Sequence, residues 1–182
     1  MSEIEAEVER LENKEADYEK LKIDLDAKAK ARAEAEAEAE GGDAELRSGE
    51  VELQTYVINT TKGFLRMIES HFWVGRTVTN IPNLASWTYA IPRQTGNLLE
   101  AVRWGVVYAD GTDSTARKWV VAFDSAAQKA YAEAGPFGPV DWNVVEVKLG
   151  LSESKVEYVD SALGGKTVAE INGLVARGTF SN

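Results

Sequence analysis

The chain has a single histidine, His71, and no cysteine, so the chemistry open to it is narrow. Mechanisms that need two imidazoles, a thiolate or a cysteine-bearing zinc site are closed. Ser70 precedes His71, but neighbours along a strand point to opposite faces of a sheet, and this hydroxyl cannot reach the ring as a triad nucleophile must. His71 lies in the aromatic tract His71-Phe72-Trp73 and reads as a structural residue or a ligand contact. Glu100, Asp124 and Glu133 could supply a carboxylate pair for glycoside hydrolysis, which needs two such groups at a set separation. Solvated surface carboxylates are the simpler reading, and a carboxylate-based hydrolase is a residual alternative.

Two further motifs resemble known sites and fail on spacing. Gly164-Gly165-Lys166-Thr167 looks like the end of a phosphate-binding loop, yet the glycine required five positions before Gly165 is Asp160, and β-type sequence follows it. Asp110-Gly111-Thr112-Asp113 suggests calcium, but the twelfth loop position is Val121 where an EF-hand needs glutamate. Only an irregular site would remain there. The five tryptophans are a stronger signal. Trp104 and Trp119 sit in the apolar runs 102–108 and 118–123 and are expected in a core, where each ring buries a large area. Trp73 and Trp87 lie near turns and polar residues and are candidate exposed platforms. The candidate ligand-binding set is therefore His71, Trp73, Trp87, Asp110 and Asp113, with no catalytic residue, metal or cofactor expected.

These residues need a scaffold, and the chain splits into two compositional parts. Residues 1–50 carry 8 Lys or Arg against 17 Asp or Glu, whereas residues 51–182 carry 12 against 13. Ser2 and Glu5 form a capping box, and no Gly or Pro occurs from Glu3 to Glu40. This predicts an acidic α-helical arm over 1–42, about 55 Å long at ~1.5 Å per residue, ended by Gly41-Gly42. Ile4, Val8, Leu11, Tyr18 and Leu25 make a short apolar seam along it. The seam would mediate homo-oligomerisation or pack on the chain's own β domain. A linker over 43–52 leads to a domain over 53–182.

In that domain the apolar period changes from 3.6 to 2. Ten short strands are predicted, near 53–61, 64–69, 72–75, 85–90, 99–109, 118–124, 129–133, 156–160, 167–172 and 174–180. Asp141 can cap a helix over 142–149 with Trp142, Val145 and Leu149 on one face, placed to cover an end of the fold. The fold class is thus mainly β: a Trp-rich antiparallel β-sandwich with one short helical insert, preceded by the long N-terminal α-helix. The formal net charge of -10, without a basic cluster, argues against nucleic-acid binding. No stretch approaches the ~20 apolar residues of a transmembrane helix. The N-terminus lacks a signal-peptide pattern, and with the absence of cysteine this points to a cytoplasmic protein, in which the Asn59-Thr60-Thr61 sequon is unglycosylated.

The motifs Tyr56-Val57-Ile58-Asn59-Thr60-Thr61, His71-Phe72-Trp73-Val74-Gly75, Ile91-Pro92, Trp104-Gly105-Val106-Val107-Tyr108 and Lys118-Trp119-Val120-Val121-Ala122-Phe123 follow one another in order, and Lys129-Ala130-Tyr131-Ala132-Glu133 and Val140-Asp141-Trp142-Asn143 continue the series. In that order and spacing, residues 51–180 resemble the 23 kDa jasmonate-induced protein family of plants. The resemblance implies a cytosolic protein linked to stress or defence, without enzymatic activity, and it carries over no site residue. A looser likeness of architecture connects the domain to aegerolysins and actinoporin-like proteins, β-sandwiches that bind membranes. Three functions compete: a non-enzymatic defence protein binding carbohydrate or another small ligand, a membrane-active protein using Phe72, Trp73 and Trp87, and an oligomer built through the helix.

Overall fold

A computed structural model describes residues 49–182; the predicted arm and its seam residues Ile4, Val8, Leu11, Tyr18 and Leu25 lie outside the described residues. The domain is a sandwich of two sheets. Its strands are β1 (Glu50–Asn59), β2 (Arg66–Val74), β3 (Arg76–Thr77), β4 (Thr88–Ala90), β5 (Arg93–Asn97), β6 (Arg103–Ala109), β7 (Arg117–Asp124), β8 (Lys129–Pro136), β9 (Lys155–Val159), β10 (Lys166–Asn172) and β11 (Val175–Ser181). One sheet has the order β3-β5-β1-β11-β10-β9 with β4 also paired to β1, and the other has the order β2-β6-β7-β8.

Alternation along the strands builds the core between them. Trp104, Val106 and Tyr108 of β6 and Trp119, Val121 and Phe123 of β7 point inward, against Leu53 and Val57 of β1 and Ala176 and Phe180 of β11. Trp104 and Trp119 are fully buried, as their sequence context predicts. Each indole removes about 150–250 Å² from water, a gross gain of roughly 4–6 kcal/mol before ordering costs.

The alternate positions of β6 and β7 are buried too. Val107, Val120 and Ala122 form a second, smaller cluster with Trp142, Val145 and Leu149 of α1 (Trp142–Gly150). The helix is the predicted one, capped by Asp141, whose carboxylate accepts from the N–H groups of Asn143 and Val144. It lies on the outer face of the four-stranded sheet, however, instead of covering an end. With a core on each side, β6 and β7 are buried along almost their whole length.

Three other expectations are corrected. The stretches read as separate strands near 64–69 and 72–75 are one strand, β2, with irregular register between Met67 and Glu69 and between Phe72 and Val74. Strands β3 and β5 were not predicted, because β5 (Arg93-Gln94-Thr95-Gly96-Asn97) has no apolar alternation. One of its inward polar groups is met by a neighbour: Thr55 Oγ1 donates to Gln94 Oε1 at 2.7 Å and both residues are buried, while Gln94 Nε2 has no acceptor. The sandwich is not purely antiparallel either, since β1 and β11 run parallel from Gln54↔Val175 to Asn59↔Phe180.

Candidate functional site

His71 and Trp73 are brought together, and Trp142 joins them. Alternation along β2 puts Glu69, His71 and Trp73 on the face that receives α1. The His71 ring stacks on Trp142 with centroids 5.2 Å apart and planes within 11°, and Trp73 meets both rings edge-on at 5.0 and 5.8 Å. Trp142 Nε1 donates to Glu69 Oε1 at 2.7 Å. The Trp142 ring also meets Gly105, the cross-strand partner of His71, where an added Cβ would stand 2.6 Å from Cζ3. His71 and Trp73 remain half-buried at the border of this contact.

The other candidate residues lie elsewhere. Trp87 precedes β4, in the other sheet, is half-buried and has a left-handed backbone with φ 57°. Its loop is organised from below by Asn59, whose buried Nδ2 donates to the carbonyls of Gly63, Leu84 and Ala85 and whose Oδ1 accepts from Thr61 N and Oγ1. The sequon asparagine is therefore a fully buried loop anchor. Asp110 and Asp113 belong to the predicted β6–β7 hairpin loop. Asp110 accepts from Arg117 N at 2.7 Å and Nε at 3.0 Å. Asp113 accepts from Thr115 N and Oγ1 at 2.8 and 2.7 Å, bonds that lower its pKa. Among the described residues no group of three or more His, Asp or Glu side chains is placed to hold a metal ion.

A second candidate site, which the sequence reading missed, is the end of the sandwich where β5 passes to β6. There Asn97 Oδ1 accepts from the N–H groups of Leu99 and Glu100 at 2.9 and 2.7 Å, and Ala101 N donates to Asn97 O at 2.8 Å. The resulting turn is closed tightly on Gly96, whose absent Cβ would collide with Ala101 O, and it puts Ala101 at φ 54°. This locked turn presents Leu98 at 62% and Leu99 at 92% exposure.

Neighbouring turns share that end and are tied together. Ser125, in the β7–β8 turn, exchanges hydrogen bonds with Val102 N and O. Gln128, left-handed at φ 57°, donates to Ser125 O and to Gly173 O and accepts from Gly173 N, which joins the β7–β8 turn to the β10–β11 turn. Lys129 donates to Gly150 O at the end of α1. Leu151, at 82% exposure after the helix, and Leu174, at 46%, are presented by these same segments. Beside the leucine turn is a cleft of about 230 Å³ lined by Gly49, Glu50, Gly75, Arg76, Thr95, Gly96 and Asn97. The strand predicted over 99–109 begins only at Arg103, and Leu99 belongs to the turn before it; the polar neighbours Asn97 and Glu100 of Leu98-Leu99 were the available signal.

No protein-family model matches the chain, and no curated protein matches it. Among solved structures the domain is similar to the lipid-binding protein Nakanori, with 15% sequence identity, 83% of this chain and 77% of that chain covered, and a TM-score of 0.57. It is also similar to the wild-type Xerocomus chrysenteron lectin XCL, with 8% identity, 72% and 99% coverage, and a TM-score of 0.46. At that identity the likeness to Nakanori is one of fold. Among the described residues no helix is long and apolar enough to cross a membrane.

Proposed function

We propose that the domain is a non-catalytic binding module that attaches to a lipid interface through its leucine-bearing end. The observation that carries the reading is the Leu98-Leu99 turn. Two large aliphatic side chains stand in water on a backbone fixed by three internal hydrogen bonds and a left-handed alanine. Strained backbone persists only where its surroundings impose it, and it gathers at functional sites. Transfer of one exposed leucine to an apolar phase is worth about 1.5–3 kcal/mol, so a few of them give a reversible membrane affinity without a spanning segment. The aromatic residues first expected to enter lipid are poorly placed for it, since Trp73 is engaged with the helix contact and Trp87 is half-buried at the base of a loop.

Flotation with vesicles tests the proposal. Wild-type protein is expected to float, and L98D/L99D to lose at least about tenfold of its partitioning with unchanged circular dichroism, as ~1.4 kcal/mol corresponds to tenfold. Equal flotation of the two proteins, or none by the wild type, rejects it. A cytoplasmic, stress- or defence-related setting is part of this proposal and rests on the resemblance of residues 51–180 to the jasmonate-induced family alone. A second reading is favoured by the half-exposed rings of His71 and Trp73 beside the exposed Glu69 carboxylate, a combination suited to a sugar. A glycan array that stays silent for wild type, or that gives the same signals for W73A, would eliminate it.

A further inference from the structure

We infer that the cleft beside the leucine turn takes the headgroup of the lipid that the leucines enter, and that this headgroup is zwitterionic, its phosphate on Arg76 and its cationic end on Glu50. The inference rests on the lipid-interface reading and specifies the lipid. Asn97 and Gly96 both line the cleft, and Leu98 follows them directly in the chain. A lipid whose acyl region meets Leu98 and Leu99 therefore has its polar end at the level of the cleft.

Charge and exposure decide which polar end fits. Arg76 Nη2 and Glu50 Oε1 are 3.8 Å apart, with side chains 65% and 49% exposed. An ion pair this exposed contributes little by itself, so exchanging it for two new partners costs little. The guanidinium offers a planar fork of donors suited to a phosphate, and the carboxylate attracts a cation. The cleft contains one charge of each sign, with Thr95 and Asn97 as neutral companions. A purely anionic headgroup would gain Arg76 but meet Glu50.

The charge of the domain points the same way. Residues 51–182 carry 12 Lys or Arg against 13 Asp or Glu, so the domain has no basic excess to draw it to anionic lipid, where each positive charge near the surface is worth on the order of 1 kcal/mol. A surface of balanced headgroups asks for no such excess.

The test compares flotation on vesicles of phosphatidylcholine, phosphatidylglycerol and an uncharged galactolipid without phosphate. Wild type is expected to favour phosphatidylcholine at least tenfold over both others. R76Q should fall to its galactolipid level on phosphatidylcholine while keeping galactolipid binding unchanged, and E50Q should lose phosphatidylcholine binding and gain on phosphatidylglycerol. Equal wild-type binding to phosphatidylcholine and galactolipid, or variants that bind phosphatidylcholine as wild type does, overturns the headgroup inference and leaves the leucine reading standing. Failure of wild type to float on any of the three overturns both.

Discussion

Single residues show how similar sequence signals lead to different energetic roles. Trp104 and Trp119 are both fully buried, but Trp119 Nε1 donates to Ser181 O at 2.9 Å and its ring lies under the Arg117 guanidinium at 5.2 Å, whereas Trp104 Nε1 has no acceptor. Both substitutions to phenylalanine leave a cavity, yet only the one at Trp119 abandons a hydrogen bond. W119F is therefore expected to destabilise the domain by about 1–2 kcal/mol more than W104F in urea unfolding. Equal losses would mean that the indole N–H of Trp119 contributes nothing. The sequence identified both rings as core because each lies in an apolar run of alternating pattern. It gave no sign of their different polar partners, since Ser181 is 62 residues away along the chain.

At the scale of elements, strands with apolar alternation were legible and strands stabilised by long-range polar contacts were not. β6, β7, β10 and β11 were located from their own residues. β5 was not, because Gln94 and Thr95 are buried by virtue of where β1 lies. β2 was divided in two because the polar residues Ser70 and His71 interrupt its apolar sequence, although their register is regular. The short helix was found with its cap and its buried face, but its destination depends on Gly105 in β6, which leaves room for Trp142. Two variants test its docking. D141A removes the acceptor for two helix N–H groups and should cost about 1 kcal/mol. G105A puts a methyl into the Trp142 ring and should cost about 1–3 kcal/mol while shifting the tryptophan emission, as overpacking requires. An emission spectrum unchanged in G105A would show that the helix is not seated there. The leucine end escaped the sequence reading because Leu99 continues into the apolar run of β6, and exposure of an apolar dipeptide is a property of the assembled turns.

For the whole molecule, the four-stranded sheet holds phenols whose titration reports on the integrity of the fold. Tyr108 is buried and donates to Pro82 O at 2.8 Å, and burial raises its pKa well above the ordinary phenol value. Burial, and then the hydrogen bond to Glu133 and its charge, raise that of Tyr131. A group whose pKa is raised on folding stabilises the native state fully below its unfolded pKa, here about 10, and that contribution is lost as pH rises further. Above pH 10 the unfolded chain releases protons that the folded one retains. Stability should fall by about 1.4 kcal/mol per pH unit for Tyr108 alone. Absorbance of the phenolate of Tyr108 should thus rise together with the loss of circular dichroism, and Y108F should move the alkaline midpoint upward. Ionisation of every tyrosine near pH 10 with the fold intact would contradict the packing.

The parallel union of β1 with β11 also constrains how the protein can be made. The first strand described and the last are laid side by side, from Gln54↔Val175 to Asn59↔Phe180. During synthesis at about 5–20 residues per second, the place beside β1 stays vacant until β11 leaves the ribosome, so most of the domain must wait, partly assembled, for that strand. A nascent chain halted before Val175 would offer the open side of β1 to any other strand it met.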